Sequence, residues 1–147
     1  MRAIVQRVNN ASVSTDGEIV GKINKGYLVL LGVTHSDAEE DVDYLVNKIS
    51  KLRIMVDING KMNLDLKDSN GSILVVSQFT LHANTKDGNR PSFTESADAE
   101  TARKLYTSCI DKLKSNNITI ETGSFGKDMK IHTELDGPVT IIFDTQS

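Results

Sequence analysis

The segment Ser77-Gln78-Phe79-Thr80-Leu81 closes an apolar run that begins at Ile73. Three polar side chains at the end of a buried stretch are costly unless each finds a partner. The ends of such strands are also where sites open. If the strand continues, Gln78, Thr80 and His82 share one face. That places a hydroxyl beside an imidazole, the parts of a nucleophile and its base. The same residues equally fit a plain strand ending in a solvated histidine, and spacing leaves both readings open. Other chemistries find little material. The chain holds no G-x-S-x-G elbow, no H-E-x-x-H, no Walker loop and no G-x-G-x-x-G. His35, His82 and His132 are scattered without metal-ligand spacing, so no metal or cofactor is expected. The one cysteine, Cys109, falls on the apolar face of a helical pattern and reads as a core thiol. Gly137-Pro138 reads as a turn before a strand, where a missing N–H is tolerated. Gly123-Ser124-Phe125-Gly126 reads as a loop. Lys86, Arg90, Lys127 and Lys130 read as a solvated face that makes a modest phosphate contact if their loops converge.

The elements that must position these residues follow from period and punctuation. Alternation over residues 3–8 predicts a strand packed on both faces. Asn9-Asn10 reads as a turn, 11–15 as the returning strand, and Asp16-Gly17 as a hairpin turn before 18–22. The continuous apolar run 26–33 predicts a buried central strand. Ser36-Asp37-Ala38-Glu39 has the form of a capping box. Val42, Leu45, Val46, Ile49 and Leu52 follow at helical spacing, which gives a helix over 37–51. A short strand over 53–57 turns at Asn59-Gly60. Strand 72–81 leads into a polar loop over 84–92. A second helix fits 97–115, with Ala102, Leu105, Tyr106, Cys109, Ile110 and Leu113 on one face. Strands near 118–122, 129–134 and 139–144 complete the chain. The fold class expected is α/β: layered mixed β-sheets with two main amphipathic helices packed on one side.

Composition narrows the rest. A chain of 147 residues is the size of one domain, 1–147, and buries roughly 68–70% of its unfolded surface without staples. Hydrophobic residues at 38% and charged residues at 25% give a globular balance. Seventeen basic against twenty acidic side chains leave a net charge of −3, which argues against coating nucleic acid and against DNA as a partner. A single cysteine excludes a disulfide framework. No apolar run is long enough for a bilayer, and Met1–Ile4 runs straight into strand-like sequence. A cytoplasmic protein with no membrane partner is expected.

Several of these segments resemble one family. Met1-Arg2-Ala3-Ile4-Val5-Gln6-Arg7-Val8, Gly26–Val33, Gly60-Lys61-Met62-Asn63, Ser77–Leu81, Gly88-Asn89-Arg90-Pro91-Ser92-Phe93, Gly123-Ser124-Phe125-Gly126 with Met129, and Gly137-Pro138-Val139-Thr140 occur in the order seen in the D-aminoacyl-tRNA deacylases. The resemblance runs from the first residue to the last strand. It implies hydrolysis of the ester between a D-amino acid and the terminal adenosine of tRNA, without metal, in a homodimer with its sites at the interface. It implies a pocket lined by Ser77, Gln78, Phe79 and Thr80. It implies a cis Gly137-Pro138 peptide that reaches into the partner subunit's pocket and rejects L-amino acids. Arg7 would orient that motif, and Phe125 and Met129 would shape the adenosine side. Glycyl-tRNA would pass the same filter, having no side chain to exclude. Leu135 stands where many relatives carry Asn. The residues taken alone leave two other readings: a small-ester hydrolase using Thr80 and His82, and a non-catalytic RNA-end or DNA-binding module on the same fold.

Overall fold

The computed structural model describes residues 1–146. Its organising element is β1 (Arg2–Thr15), whose inward positions Ala3, Val5, Val8, Ala11 and Val13 are buried. β2 (Glu18–Ile23) returns along Ala11–Thr15 through Asp16-Gly17, both at positive φ as a tight hairpin turn requires. β3 (Gly26–Gly32) pairs antiparallel with Arg2–Val8. The neighbour of β1 therefore changes from β3 to β2 at Asn9-Asn10, which are exposed. This corrects the turn expected there. The chain stays extended because β8 (Lys130–Asp144) pairs with both halves of β1 and holds them in line.

β3, β6 (Ser72–Ser77) and β7 (Thr119–Thr122) are parallel neighbours. Parallel neighbours need long crossovers, and these carry α1 (Glu39–Ser50) and α2 (Ala99–Ser115). β2 curls back against β7: a Cβ on Gly21 would stand 2.4 Å from the Thr122 carbonyl oxygen. The sheet order β2-β1-β3-β6-β7 thus nearly closes on itself. At the start of β3, Gly26 has φ +154° and a Cβ there would meet the Ser72 carbonyl oxygen at 1.8 Å, so only glycine fits.

Alternation sorts the apolar strands into two layers. Tyr27, Val29 and Leu31 of β3 with Ile73 and Val75 of β6 face the helices. Val42, Leu45 and Ile49 of α1 and Leu105, Cys109 and Leu113 of α2 meet them. Leu28, Leu74 and Val76 point the other way and join Val8, Ala11 and Val13 inside the curl. The expected mixed α/β architecture with two amphipathic helices is the one observed.

Four details differ from expectation. α1 starts at Glu39 with Ala38 as its cap, and Asp41 accepts from the Ala38 N–H at 2.9 Å. Asp37 is engaged elsewhere, accepting from the Thr34 N–H and from the Met1 ammonium, which lies 2.5 Å away. β6 ends at Ser77, and Phe79–His82 form a 3-10 turn. The two last strands expected from sequence are one, because both halves pair with the same β1. The short strand, β4 (Met55–Val56), and the turn at Asn59-Gly60 appear as expected, but β4 pairs with a strand the sequence did not indicate, β5 (Met62–Leu64).

Candidate active site

A cleft of about 600 Å³ opens where β6 ends. The Gln78 N–H still donates to the Leu31 carbonyl at 2.8 Å, completing the parallel ladder. The chain then winds up, with Leu81 N–H donating to the Gln78 carbonyl and Ala83 N–H to that of Thr80. The first N–H groups of such a turn have no acceptor behind them. Those of Phe79 and Thr80 are in this position, and both residues line the cleft.

β3, β6, the 3-10 turn, α2, the loop 125–129 and β8 all contribute to the cleft. Ser77, Gln78, Phe79 and Thr80 line it together with Phe125 and Met129. The six residues that resemblance placed around one pocket are therefore brought together. Phe125 is fixed by contacts that sequence did not indicate. Its ring lies 5.4 Å from that of Tyr106, and the Arg103 guanidinium stands 4.7 Å from its centroid. Tyr106 lines the cleft and donates from its hydroxyl to the Val75 carbonyl at 3.2 Å. Burial pushes its pKa up to about 12, so it stays neutral. The available signal was that a core-facing tyrosine keeps a polar tip needing a partner.

The nucleophile–base pair is corrected. Because the strand stops at Ser77, Gln78, Thr80 and His82 do not share a strand face. The Thr80 hydroxyl accepts a short hydrogen bond from the Gln78 side-chain amide. His82 is buried, and its Nε2 has no partner among the described residues. Burial holds its pKa below the usual imidazole value, and His82 is not among the residues that line the cleft with Thr80. Cys109 is buried, and burial pushes its thiol up to about 12. That fits the core thiol expected and leaves little thiolate.

Gly137-Pro138 lies elsewhere on the chain and does not line this cleft. The peptide is cis. Val8 pairs with Leu135 and Gln6 with Thr140, so Asp136, Gly137, Pro138 and Val139 bulge opposite the single residue Arg7. Arg7 is buried beneath, while Gly137 and Pro138 are exposed. Its Nη1 donates to the Ile54 carbonyl at 2.8 Å and its Nε to the Asp136 carbonyl at 3.3 Å, with the Asp136 carboxylate 3.2 Å away. Leu135 is 43% exposed. No group of three or more His, Cys, Asp or Glu side chains suited to a metal ion occurs among the described residues. No helix is long and apolar enough to cross a membrane.

The cleft opens at the end of a parallel strand in an α/β fold, and comparison with known proteins places it among the hydrolases that cleave tRNA esters. The family described as D-Tyr-tRNA(Tyr) deacylase matches residues 4–144, and the chain belongs to that family. It is 55% identical over 147 residues to a D-aminoacyl-tRNA deacylase of Thermosipho melanesiensis, covering 99% of this chain and 98% of that one. It is 53% identical over 146 residues to one of Fusobacterium nucleatum, covering 99% and 97%. Among solved structures it is similar to a c-Myc DNA unwinding element binding protein, with TM-score 0.92, 38% identity and 99% of both chains covered. A probable eukaryotic D-amino acid tRNA deacylase shares the fold, with TM-score 0.83, 15% identity and 97% of both chains covered.

Proposed function

We propose that this chain, as one domain over 1–147, cleaves D-aminoacyl-tRNA through backbone oxyanion stabilisation, without a side-chain nucleophile. The observation that carries this is the pair of N–H groups of Phe79 and Thr80, which line the cleft and have no partner among the described residues. Water attacks the ester carbonyl, and the developing oxyanion accepts from these two amides. The bond from the carbonyl carbon to the ribose oxygen breaks, and that oxygen takes the proton, helped by the neighbouring ribose 2′-OH of the substrate. An aminoacyl ester is already reactive, so positioning carries most of the remaining work. Ser77 and Gln78 hold the turn's entry, and Phe125 and Met129 receive the terminal adenosine.

Selection for the D-configuration is assigned to Gly137 and Pro138 of a second copy, inserted into the cleft of the first. Two observations support this. The motif is exposed on its own chain and lies outside its own cleft, and Arg7 anchors it from below. A wall made of backbone cannot rotate aside, so it excludes an L side chain and passes a D one. Glycine has nothing to exclude, so glycyl-tRNA is cleaved as well. The substrate class puts the enzyme in the cytoplasm. The net charge of −3 argues against duplex DNA as a partner and for contact limited to the acceptor end of tRNA.

The test is a time course on matched D-tyrosyl-, L-tyrosyl- and glycyl-tRNA with catalytic protein and chelator present. Loss of the D- and glycyl-esters, with the L-ester decaying at the uncatalysed rate, is the expected result. Loss of both enantiomers overturns the chiral wall, and no turnover overturns the activity.

A further inference from the structure

Phe79 points outward from the 3-10 turn and is 57% exposed. Its ring meets that of Phe93, itself 37% exposed, edge to face at 5.0 Å and 70°. Two large aromatic rings left in water beside a cleft are an unusual use of apolar surface. They are also held firmly. Asn84 and Ser92 exchange backbone hydrogen bonds at 2.8 and 2.9 Å, which closes the loop between them. The Ser96 N–H donates to the Phe93 carbonyl at 3.1 Å, and the Ser96 hydroxyl donates to the Phe79 carbonyl at 3.0 Å. One serine thus ties both aromatic residues together. Ala97 N–H, bonded to the Val33 carbonyl at 2.9 Å, anchors this segment at the end of β3.

Two basic residues belong to the loop before Phe93 and to the cleft lining. Arg90 stands three residues before Phe93 in the closed loop, and Lys127 lines the same cleft as Phe79. Both are exposed, and neither has a salt-bridge partner among the described residues. Fixed aromatic faces beside unpaired cations are what single-stranded nucleic acid requires. Bases stack on the rings, and phosphates meet the cations.

We infer that Phe79 and Phe93, with Arg90 and Lys127, form a stacking platform for the unpaired nucleotides that precede the terminal adenosine of the RNA substrate. This rests on the proposed reading of the cleft, because it places the terminal nucleoside inside and the preceding chain across its rim. The platform reads no base edges, so it accepts any sequence and adds affinity by stacking. It gives a protein of net charge −3 a local hold on RNA without a basic surface.

The experiment compares binding of adenosine with that of the single-stranded trinucleotide CCA, by calorimetry, for the native chain and for Phe93→Leu and Arg90→Gln. The native chain is expected to bind CCA about ten-fold more tightly than adenosine. Phe93→Leu is expected to remove most of that ratio, and Arg90→Gln to lower the salt dependence of CCA binding by about 0.7 of a log–log slope unit. The Arg90 variant keeps the test open should Phe93→Leu fail to fold. An unchanged ratio in Phe93→Leu, or CCA binding no tighter than adenosine to the native chain, overturns the platform and leaves the rings to a protein partner. Failure of the catalytic reading shows separately, as D-aminoacyl-tRNA left uncleaved.

Discussion

The guanidinium of Arg7 stands 3.2 Å from the point where a Cβ on Gly137 would lie. The two residues come from strands that are neighbours along almost their whole length, yet here one strand bulges by four residues against one. Gly137 has φ +124°, and a Cβ there would also come within 2.8 Å of the Val139 side chain. A buried cation below and a crowded glycine above define the shape of the exposed loop between them.

Replacing Arg7 tests that support. In Arg7→Met the carbonyls of Ile54 and Asp136 lose their donor, and a buried unpaired carbonyl costs about 1–3 kcal/mol. The expected outcome is a lower urea midpoint together with a smaller ratio of D- to L-ester hydrolysis. Arg7→Lys keeps the charge but not the fork, and is expected to keep more stability than discrimination.

Thr80→Val separates backbone from side-chain catalysis. The Thr80 hydroxyl is engaged with the Gln78 amide, while its N–H lies in the first turn, where no acceptor within the turn exists. Turnover of D-tyrosyl-tRNA is expected to stay within about ten-fold of the native rate, because loss of a catalytic nucleophile costs far more. A fall to the uncatalysed rate with the fold intact, measured alongside circular dichroism, contradicts the oxyanion account.

His82 predicts a pH effect on stability rather than on catalysis. Burial holds its folded pKa below the unfolded value of about 6.5. As pH falls the unfolded chain takes up the proton first. Its contribution is therefore complete above the unfolded value and is lost as pH drops toward the folded one. Urea unfolding at about pH 7.5 and about pH 5.5 is expected to show this loss, and His82→Leu to show less of it. The rate of D-ester cleavage is expected to show no inflexion that disappears in the same variant.

Pro138→Ala, assayed on all three esters, addresses the chiral wall. Loss of the ring is expected to raise L-tyrosyl-tRNA hydrolysis above background while glycyl-tRNA changes least, since glycine never touched the wall. Equal change on all three esters places the motif outside the discriminating contact.

The sequence by itself determined the elements whose signals are local. Helical spacing from Val42 to Ile49 and from Leu105 to Leu113, the turns at Asp16-Gly17 and Asn59-Gly60, and the doubly packed run 26–33 all appear in the structure. The segments Ser77–Thr80, Phe125 and Met129 were also legible, through their resemblance to a family, as walls of one pocket. What only the tertiary structure decided depends on partners distant along the chain. Asn9-Asn10 stays extended, and the two halves of β8 become one strand, because each half is paired with a continuous neighbour. The strand ending at Ser77 gives way to a 3-10 turn, which buries His82 and takes it off the strand face shared with Thr80. Local pattern records which faces are apolar, and pairing across the sheet decides where the backbone turns and which polar groups are left free to act.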